Sequence, residues 1–118
     1  MEHIYDTDFF LEEISRLLKP NGYLLISTPN IASLPRRMML LSGINPFIEI
    51  SPNRKNSSGH IRYFTFQALR KLLKEHKFSI LLKKSDVVNF NNCGSIYSKT
   101  IAKAFPAFGQ SIIYLVRK

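Results

Sequence analysis

The first thirty residues contain a helix, a turn and a strand in close succession, and this unit limits the fold classes open to the chain. Asp6 or Thr7 is the predicted N-cap of the helix. The apolar residues of the helix follow helical spacing and predict one buried stripe: Phe10, Ile14, Leu17 and Leu18. Pro20 and Gly22 then end the helix and turn the chain, because proline cannot continue a helix and glycine accepts a positive φ. The apolar run from Tyr23 to Ser27 predicts a short strand covered on both faces, so the unit indicates an α/β fold.

Further elements follow this unit. Residues 34–41 predict a short helix with its last four residues against the core, and Thr65 is the predicted N-cap of a longer amphipathic helix. Prolines, serines and asparagines dominate residues 45–59, which predicts a mobile loop. The remaining predicted elements are a strand over 78–88, a helix over 96–105 and a strand over 110–117.

Composition and charge limit the classes of partner. At 118 residues with 45% hydrophobic content, the chain is predicted to form one packed domain. The single cysteine, Cys93, offers neither a disulfide nor a metal-binding spacing, which favours a cytoplasmic location. The net charge of +9 is uneven, because residues 1–30 hold five of the eight acidic side chains. Nucleic acid is a disfavoured partner, since aromatic residues are not interleaved with the basic ones.

Two blocks of sequence carry a family resemblance. The blocks are EHIYD…FLEEISRLLKPNGYLLISTPN in residues 2–30 and GHIRYFTFQALRKLLKEHKFSI in residues 59–80. They resemble class I, Rossmann-like methyltransferases that use S-adenosylmethionine (SAM) and act on small-molecule or lipid-like acceptors. The resemblance implies a partial α/β sheet flanked by helices, with strands in the order 5-7-6, strand 7 antiparallel and strands 1–4 absent. Residues 23–27, 78–88 and 110–117 would be strands 5, 6 and 7, and residues 1–118 one partial, C-terminal, acceptor-side domain.

The cofactor-binding part of that family pattern is missing from this sequence. The five glycines are isolated and form no G-x-G pattern, so no glycine-rich loop can be assigned. The acidic residue that holds the cofactor ribose in relatives cannot be assigned either. The resemblance therefore implies that SAM binds only together with a complementing N-terminal half. Lys77 also departs from the pattern, because relatives often have a helix-ending glycine there, and a left-handed Lys77 would be strained.

The resemblance also assigns candidate site residues. Glu2 and His3 would border the methionine side of SAM, and His60 would be the catalytic base. The implied substrate-binding residues are Thr28, Pro29, Asn30, Arg62 and Tyr63. Structural roles are the alternatives: polar loop residues for the first pair, a strand-ending turn for residues 28–30, and organisation of the helix entry for His60. No metal site is predicted.

Three functions stay open on this reasoning. The first is SAM-dependent methyl transfer by the C-terminal portion of a methyltransferase. The second is a non-catalytic binding or regulatory module that pairs its exposed strand edge with another chain or with a second copy of itself. The third, compatible with the first, is a peripheral membrane contact through residues 34–47, which combine two arginines with an apolar run.

Overall fold

The computed structural model describes residues 1–46, 59–90 and 95–118. Residues 47–58, which make up most of the loop predicted at 45–59, lie outside these segments, and so does Cys93. The elements, in chain order, are α1 (Thr7–Leu17), β1 (Tyr23–Pro29), α2 (Leu34–Leu41), α3 (Phe66–Glu75), β2 (Ser79–Lys84), β3 (Val88–Asn89), β4 (Tyr97–Ser98), α4 (Lys99–Ala104), a 3-10 turn (Pro106–Phe108) and β5 (Ser111–Arg117). The predicted mixed α/β class is confirmed. None of the helices in these segments has the length and apolar character that a membrane crossing requires.

The main sheet has three strands in the order β1-β5-β2. The last strand of the chain lies in the middle and runs antiparallel to both neighbours. Its register pairs Leu25 with Leu115 on one side and Leu82 with Leu115 on the other. The sequence predicted this order and direction for the three segments, while their numbering as strands 5, 7 and 6 of a larger sheet stays a prediction.

Only one face of this sheet is covered by helices among the described residues. The buried side chains on that face come from alternate strand positions: Ile26, Thr28, Ile112, Tyr114 and Val116. They form one core with Leu11 of α1 and with Phe66, Leu69 and Leu73 of α3. The Tyr114 hydroxyl donates a hydrogen bond to the Phe66 carbonyl at 2.9 Å, which satisfies the one polar atom of this large buried ring.

The opposite face of the sheet is exposed, and the prediction of a strand covered on both sides is wrong for residues 23–27. Tyr23 is 62% exposed and Leu25 is 67% exposed. Successive side chains of a strand point to opposite faces of the sheet. The two helices that contribute to the core, α1 and α3, pack on the face opposite to Tyr23 and Leu25. Leu25, Leu115 and Leu82 consequently form an apolar row across the uncovered face.

The two N-terminal helices differ from expectation in which residues they bury. In α1, Leu11 is fully buried and Leu17 is 71% exposed, because the core-facing stripe follows the i, i+3, i+7 spacing of Leu11, Ile14 and Leu18. Helix α2 has the predicted bounds. Its last turn does not pack against the core, and the exposed apolar residues there are Met38, Leu40 and Leu41.

The segment after α3 is shorter and more bent than predicted. Strand β2 ends at Lys84, and β3 begins at Val88 as part of a separate two-stranded ladder. The turn between them is fixed by Asp86, whose carboxylate accepts hydrogen bonds from the backbone N–H and the hydroxyl of Ser111. The predicted helix over 96–105 is also shorter, since Ser98 caps it and α4 ends at Ala104.

Lys77 has the left-handed conformation, with φ of 63°, at the position where the sequence lacks the helix-ending glycine common in relatives. The chain leaves α3 through a Schellman motif, in which Phe78 N–H donates to the Leu73 carbonyl and Lys77 N–H donates to the Lys74 carbonyl. A side chain at this position costs energy because its Cβ crowds the backbone.

We expect Lys77→Gly to raise the free energy of unfolding by about 0.5–1 kcal/mol, since glycine adopts this conformation without strain. Thermal unfolding followed by circular dichroism measures the change. Lys74→Gly is the matched control on the same helix, and it should lower stability by about 1 kcal/mol because Lys74 lies inside the helix. A lower melting temperature for Lys77→Gly would contradict the assignment of strain.

Candidate functional site

The carboxyl end of β1 is where separate parts of the chain meet. The N-terminal loop lies beside the segment that precedes α3, because Ile61 N–H and Arg62 N–H both donate to the Glu2 carbonyl, at 3.0 and 3.1 Å. The end of β1 joins the same segment through a parallel bridge between Asn30 and Phe64. Polar side chains from residues 2–3, 28–30 and 59–63 are thereby gathered at one edge of the fold.

A side-chain hydrogen bond joins Glu2 to the carboxyl end of β1. The Thr28 hydroxyl donates to Glu2 Oε2 at 2.9 Å, and Thr28 is only 3% exposed. Partial burial raises the pKa of Glu2, but hydrogen bonds from its own backbone N–H, the N-terminal ammonium and Thr28 outweigh this and bring the pKa to about 2. The site therefore contains a fixed carboxylate at neutral pH.

Two histidines lie next to this carboxylate. The rings of His3 and His60 meet edge to face with their centroids 4.8 Å apart. Glu2 Oε1 is 3.9 Å from His3 Nε2 and 4.0 Å from His60 Nε2. The other ring nitrogen of His3, Nδ1, lies 3.2 Å from the Gly59 carbonyl oxygen. Glu2, His3, Thr28 and His60, which the sequence assigned to cofactor, substrate and base roles, thus form one cluster.

Asn30 has a different environment from the other predicted site residues. It is 1% exposed, and its Nδ2 donates to the carbonyls of Ala107 and Gly109, at 3.0 and 2.8 Å. Its Oδ1 accepts a hydrogen bond from Ala32 N–H at 3.0 Å. Both amide hydrogens are therefore used to join the end of β1 to the turn before β5, and Pro29 lies at the end of β1 beside it.

Arg62 and Tyr63 lie at the outer side of the site. The Arg62 guanidinium donates to the Tyr5 carbonyl and lies 5.9 Å from the centroid of the Tyr5 ring. Tyr63 is 38% exposed. Their substrate-binding roles stay predictions, because these contacts are compatible with a structural role as well.

The comparison with protein families agrees with this geometry. The sequence profile of a family described as methyltransferase domain matches residues 1–83, which is well over half of the 118 residues. The chain belongs to this methyltransferase domain family. The matched part of the methyltransferase domain contains every predicted site residue and extends into β2. No curated protein matches the chain.

The methyltransferase domain also has a basic cleft that no sequence pattern predicted. The cleft has a volume of about 630 Å³ and is lined by three cations from three elements: Arg37 of α2, Arg70 of α3 and Lys83 of β2. Asn30 and Thr65 also line it, so it adjoins the strand end. No local motif could have indicated this cleft, since the three cations are brought together only by packing.

His76 lies at the C-terminal end of α3 in this methyltransferase domain. Its Nε2 lies 2.8 Å from Asp8 Oδ1 and links the end of α3 to the first turn of α1. The side chain is 13% exposed and lies away from the cluster of Glu2 and the other two histidines. It is therefore a matched control for experiments on those two histidines.

Proposed function

We propose that this methyltransferase domain takes part in methyl transfer from SAM to a small-molecule or lipid-like acceptor, at the carboxyl end of β1. The observation that carries the proposal is the hydrogen bond from Thr28 to Glu2, which holds a carboxylate at the strand end. Ligands of open α/β sheets bind beyond the carboxyl ends of the strands. Family membership and the position of this cluster support the same location.

The described residues fit one part of the cofactor. Glu2 and His3 border the space that the methionine portion would occupy. The sequence offers no loop or acidic residue for the nucleoside portion. We therefore propose that a polypeptide segment outside residues 1–118, in the same or another chain, supplies those contacts.

SAM would supply an activated methyl group on its sulfonium sulfur, and the task left to this chain is to hold the acceptor in line. Transfer of this kind depends mainly on orientation in a site that excludes water. Thr28 orients Glu2 at the end of β1, and the segment around His60 closes the same side through its bonds to the Glu2 backbone. The role of His60 as catalytic base stays a prediction. Methyl transfer from a sulfonium can proceed without a general base on the protein.

The outer edge of β1 supports a proposal about the complementing segment. Among the described residues, no strand pairs with that edge, and the adjoining face carries the apolar row of Leu25, Leu115 and Leu82, of which Leu25 and Leu82 are exposed. An unpaired strand edge beside an apolar face is a template for another chain. We propose that the complementing segment pairs with β1 and covers this face.

The test is to co-express the chain with the N-terminal half of a methyltransferase domain of the same family and to purify the complex. Isothermal titration calorimetry should detect SAM binding to the complex and none to residues 1–118 alone. In the complex, Thr28→Val should weaken SAM binding by about tenfold or more, because Glu2 loses a hydrogen bond to its charged group.

Thr100→Val is the control for the previous variant, since Thr100 is exposed on α4 and far along the chain from the site. It should leave the affinity unchanged. A stable complex without SAM affinity would contradict the proposed function. It would instead favour the second candidate, a non-catalytic module that binds through the β1 edge, with a dimer of the chain alone as its signature in sedimentation equilibrium.

Peripheral membrane contact through α2 is a third proposal, compatible with the first. The exposed Met38, Leu40 and Leu41 support it, since apolar side chains on one surface helix suit the membrane interface. Arg36 and Arg37 support it less, because each donates to a backbone carbonyl of the chain itself, those of Asn30 and Ala32. Flotation with anionic vesicles, compared with neutral ones, distinguishes the two contributions.

A further inference from the structure

Three side chains with the chemistry of metal ligands converge at the candidate site. Glu2, His3 and His60 each offer one ligand atom, and the three atoms all lie within 4.8 Å of one another. They come from two distant parts of the chain, held together by the backbone bonds between Glu2 and residues 61 and 62. Carboxylate oxygen and imidazole nitrogen are the donor set of many zinc sites.

The spacing of the ligand atoms is close to that of a coordinated ion. Bonds of about 2.0–2.2 Å in a tetrahedral site place the ligand atoms roughly 3.3–3.6 Å apart. Glu2 Oε1 lies 3.9 Å and 4.0 Å from the two Nε2 atoms, and all three ligand atoms lie within 4.8 Å of one another, so movements of up to about 1 Å would complete the site. The imidazole of His3 is 53% exposed, and rotation of this ring can supply the movement.

The surrounding hydrogen bonds orient Glu2 and His3 toward the ion position. His3 Nδ1 faces the Gly59 carbonyl oxygen, which can only accept a hydrogen bond, so the neutral ring has its proton on Nδ1 and the lone pair of Nε2 is directed away from that contact. Glu2 Oε2 accepts the bond from Thr28, and Oε1 is the oxygen directed at the two histidines. Hydrogen bonds of this kind, from a ligand histidine to a carbonyl oxygen and from a hydroxyl group to a ligand carboxylate, are typical around metal centres.

A direct ion pair explains the cluster less well. The two distances from Glu2 Oε1 to the Nε2 atoms exceed the length of a hydrogen bond. A histidine in direct contact with this carboxylate would be expected to approach it to about 2.8 Å, which is the distance between His76 Nε2 and Asp8 Oδ1. The separation of the three atoms instead leaves room for an ion between them.

We propose that Glu2 Oε1, His3 Nε2 and His60 Nε2 bind one divalent cation of the zinc type, with the remaining coordination position open to water or to an acceptor oxygen. Three protein ligands with one open position are the arrangement of catalytic zinc sites. The catalytic consequence rests on the proposed function: the ion would polarise an acceptor hydroxyl, so that its proton passes to water as the oxygen takes the methyl group and the carbon–sulfur bond of SAM breaks, in place of the base role that the resemblance assigned to His60. Binding of the ion is measured without SAM or acceptor.

The test is a titration of the chelator-treated chain, residues 1–118, with Co²⁺, followed by visible absorption, and with Zn²⁺, followed by calorimetry. For this test the protein is produced with a few residues added before Met1. The free amino group is then no longer close to His3 and does not compete as a ligand. One ion should bind per chain. His60→Ala and His3→Ala should each weaken binding at least tenfold, and His3 is exposed enough that its variant retains the fold.

His76→Ala is the matched control, because His76 has a carboxylate partner but no second histidine. It should bind the ion as tightly as the unaltered chain. The proposal is overturned if no ion binds, if both His3→Ala and His60→Ala bind as before, or if His76→Ala loses affinity equally. SAM binding by the complex without metal tests the proposed function separately, so either one can fail while the other holds.

Discussion

Replacing Asn30 by aspartate is expected to lower the free energy of unfolding by about 3–5 kcal/mol. The amide donates to two carbonyl oxygens, those of Ala107 and Gly109, in a place where the residue is 1% exposed. A carboxylate there would face two acceptors with nothing to donate, and a protonated carboxyl could satisfy only one of them. Urea unfolding followed by circular dichroism measures the loss.

The control for this change is Asn21→Asp, the same chemical substitution at an exposed position with φ of 63°. Aspartate tolerates that conformation about as well as asparagine, so stability should change by less than about 0.5 kcal/mol. If Asn30→Asp lowered the free energy of unfolding as little as Asn21→Asp, the amide of Asn30 would not hold the end of β1 to the turn before β5. The candidate site would then lack the support that this residue gives it.

Leu69→Ala is expected to cost about 2–5 kcal/mol, because Leu69 is fully buried in the core beneath the sheet and its removal leaves a cavity. It belongs to the stripe with which α3 packs against the buried face. Denaturant unfolding of the purified chain gives the value directly. A cost below about 1 kcal/mol would mean that α3 packs loosely or elsewhere.

Leu25→Ala is the comparison for Leu69→Ala, with the same atoms removed from the opposite face of the sheet. At 67% exposure, it should cost less than about 0.5 kcal/mol in the isolated chain. A cost near that of Leu69→Ala would show that the exposed face is covered in solution, and sedimentation equilibrium would then identify a second copy as the cover.

Local signals in the sequence were sufficient to predict where α1, α2 and α3 begin and where the three strands of the main sheet lie, although the predicted strand over 78–88 ends early and the predicted helix over 96–105 begins late. Asp6 and Thr65 cap α1 and α3 through side-chain bonds to Phe9 N–H and Ala68 N–H, as residues of these types do in many proteins. Lys77, noted as a departure from the family's helix-ending glycine, has the left-handed conformation. Burial was predicted less well, because Leu17 and the last turn of α2 are apolar in sequence but have nothing packed over them among the described residues.

The candidate site could be predicted as a set of residues, but not as an arrangement. The resemblance selected Glu2, His3, Thr28 and His60 from distant positions, and the fold brings them into one cluster. It did not reveal that Asn30 uses its amide to hold the backbone, nor that the two histidines lie within about 4 Å of the Glu2 carboxylate. These properties depend on distances between segments that no local pattern encodes.

The sequence is enough to predict the family, the order of helices and strands and the identity of the polar residues at the strand end, because caps, turns and apolar spacing act over a few residues. The family resemblance also predicted that the last strand lies between the other two. Which face of the sheet is covered, and that Glu2 contacts Thr28, are properties that appear only in the folded chain. These outcomes follow from packing between residues far apart in the chain, where burial of apolar surface and satisfaction of buried polar groups select one arrangement.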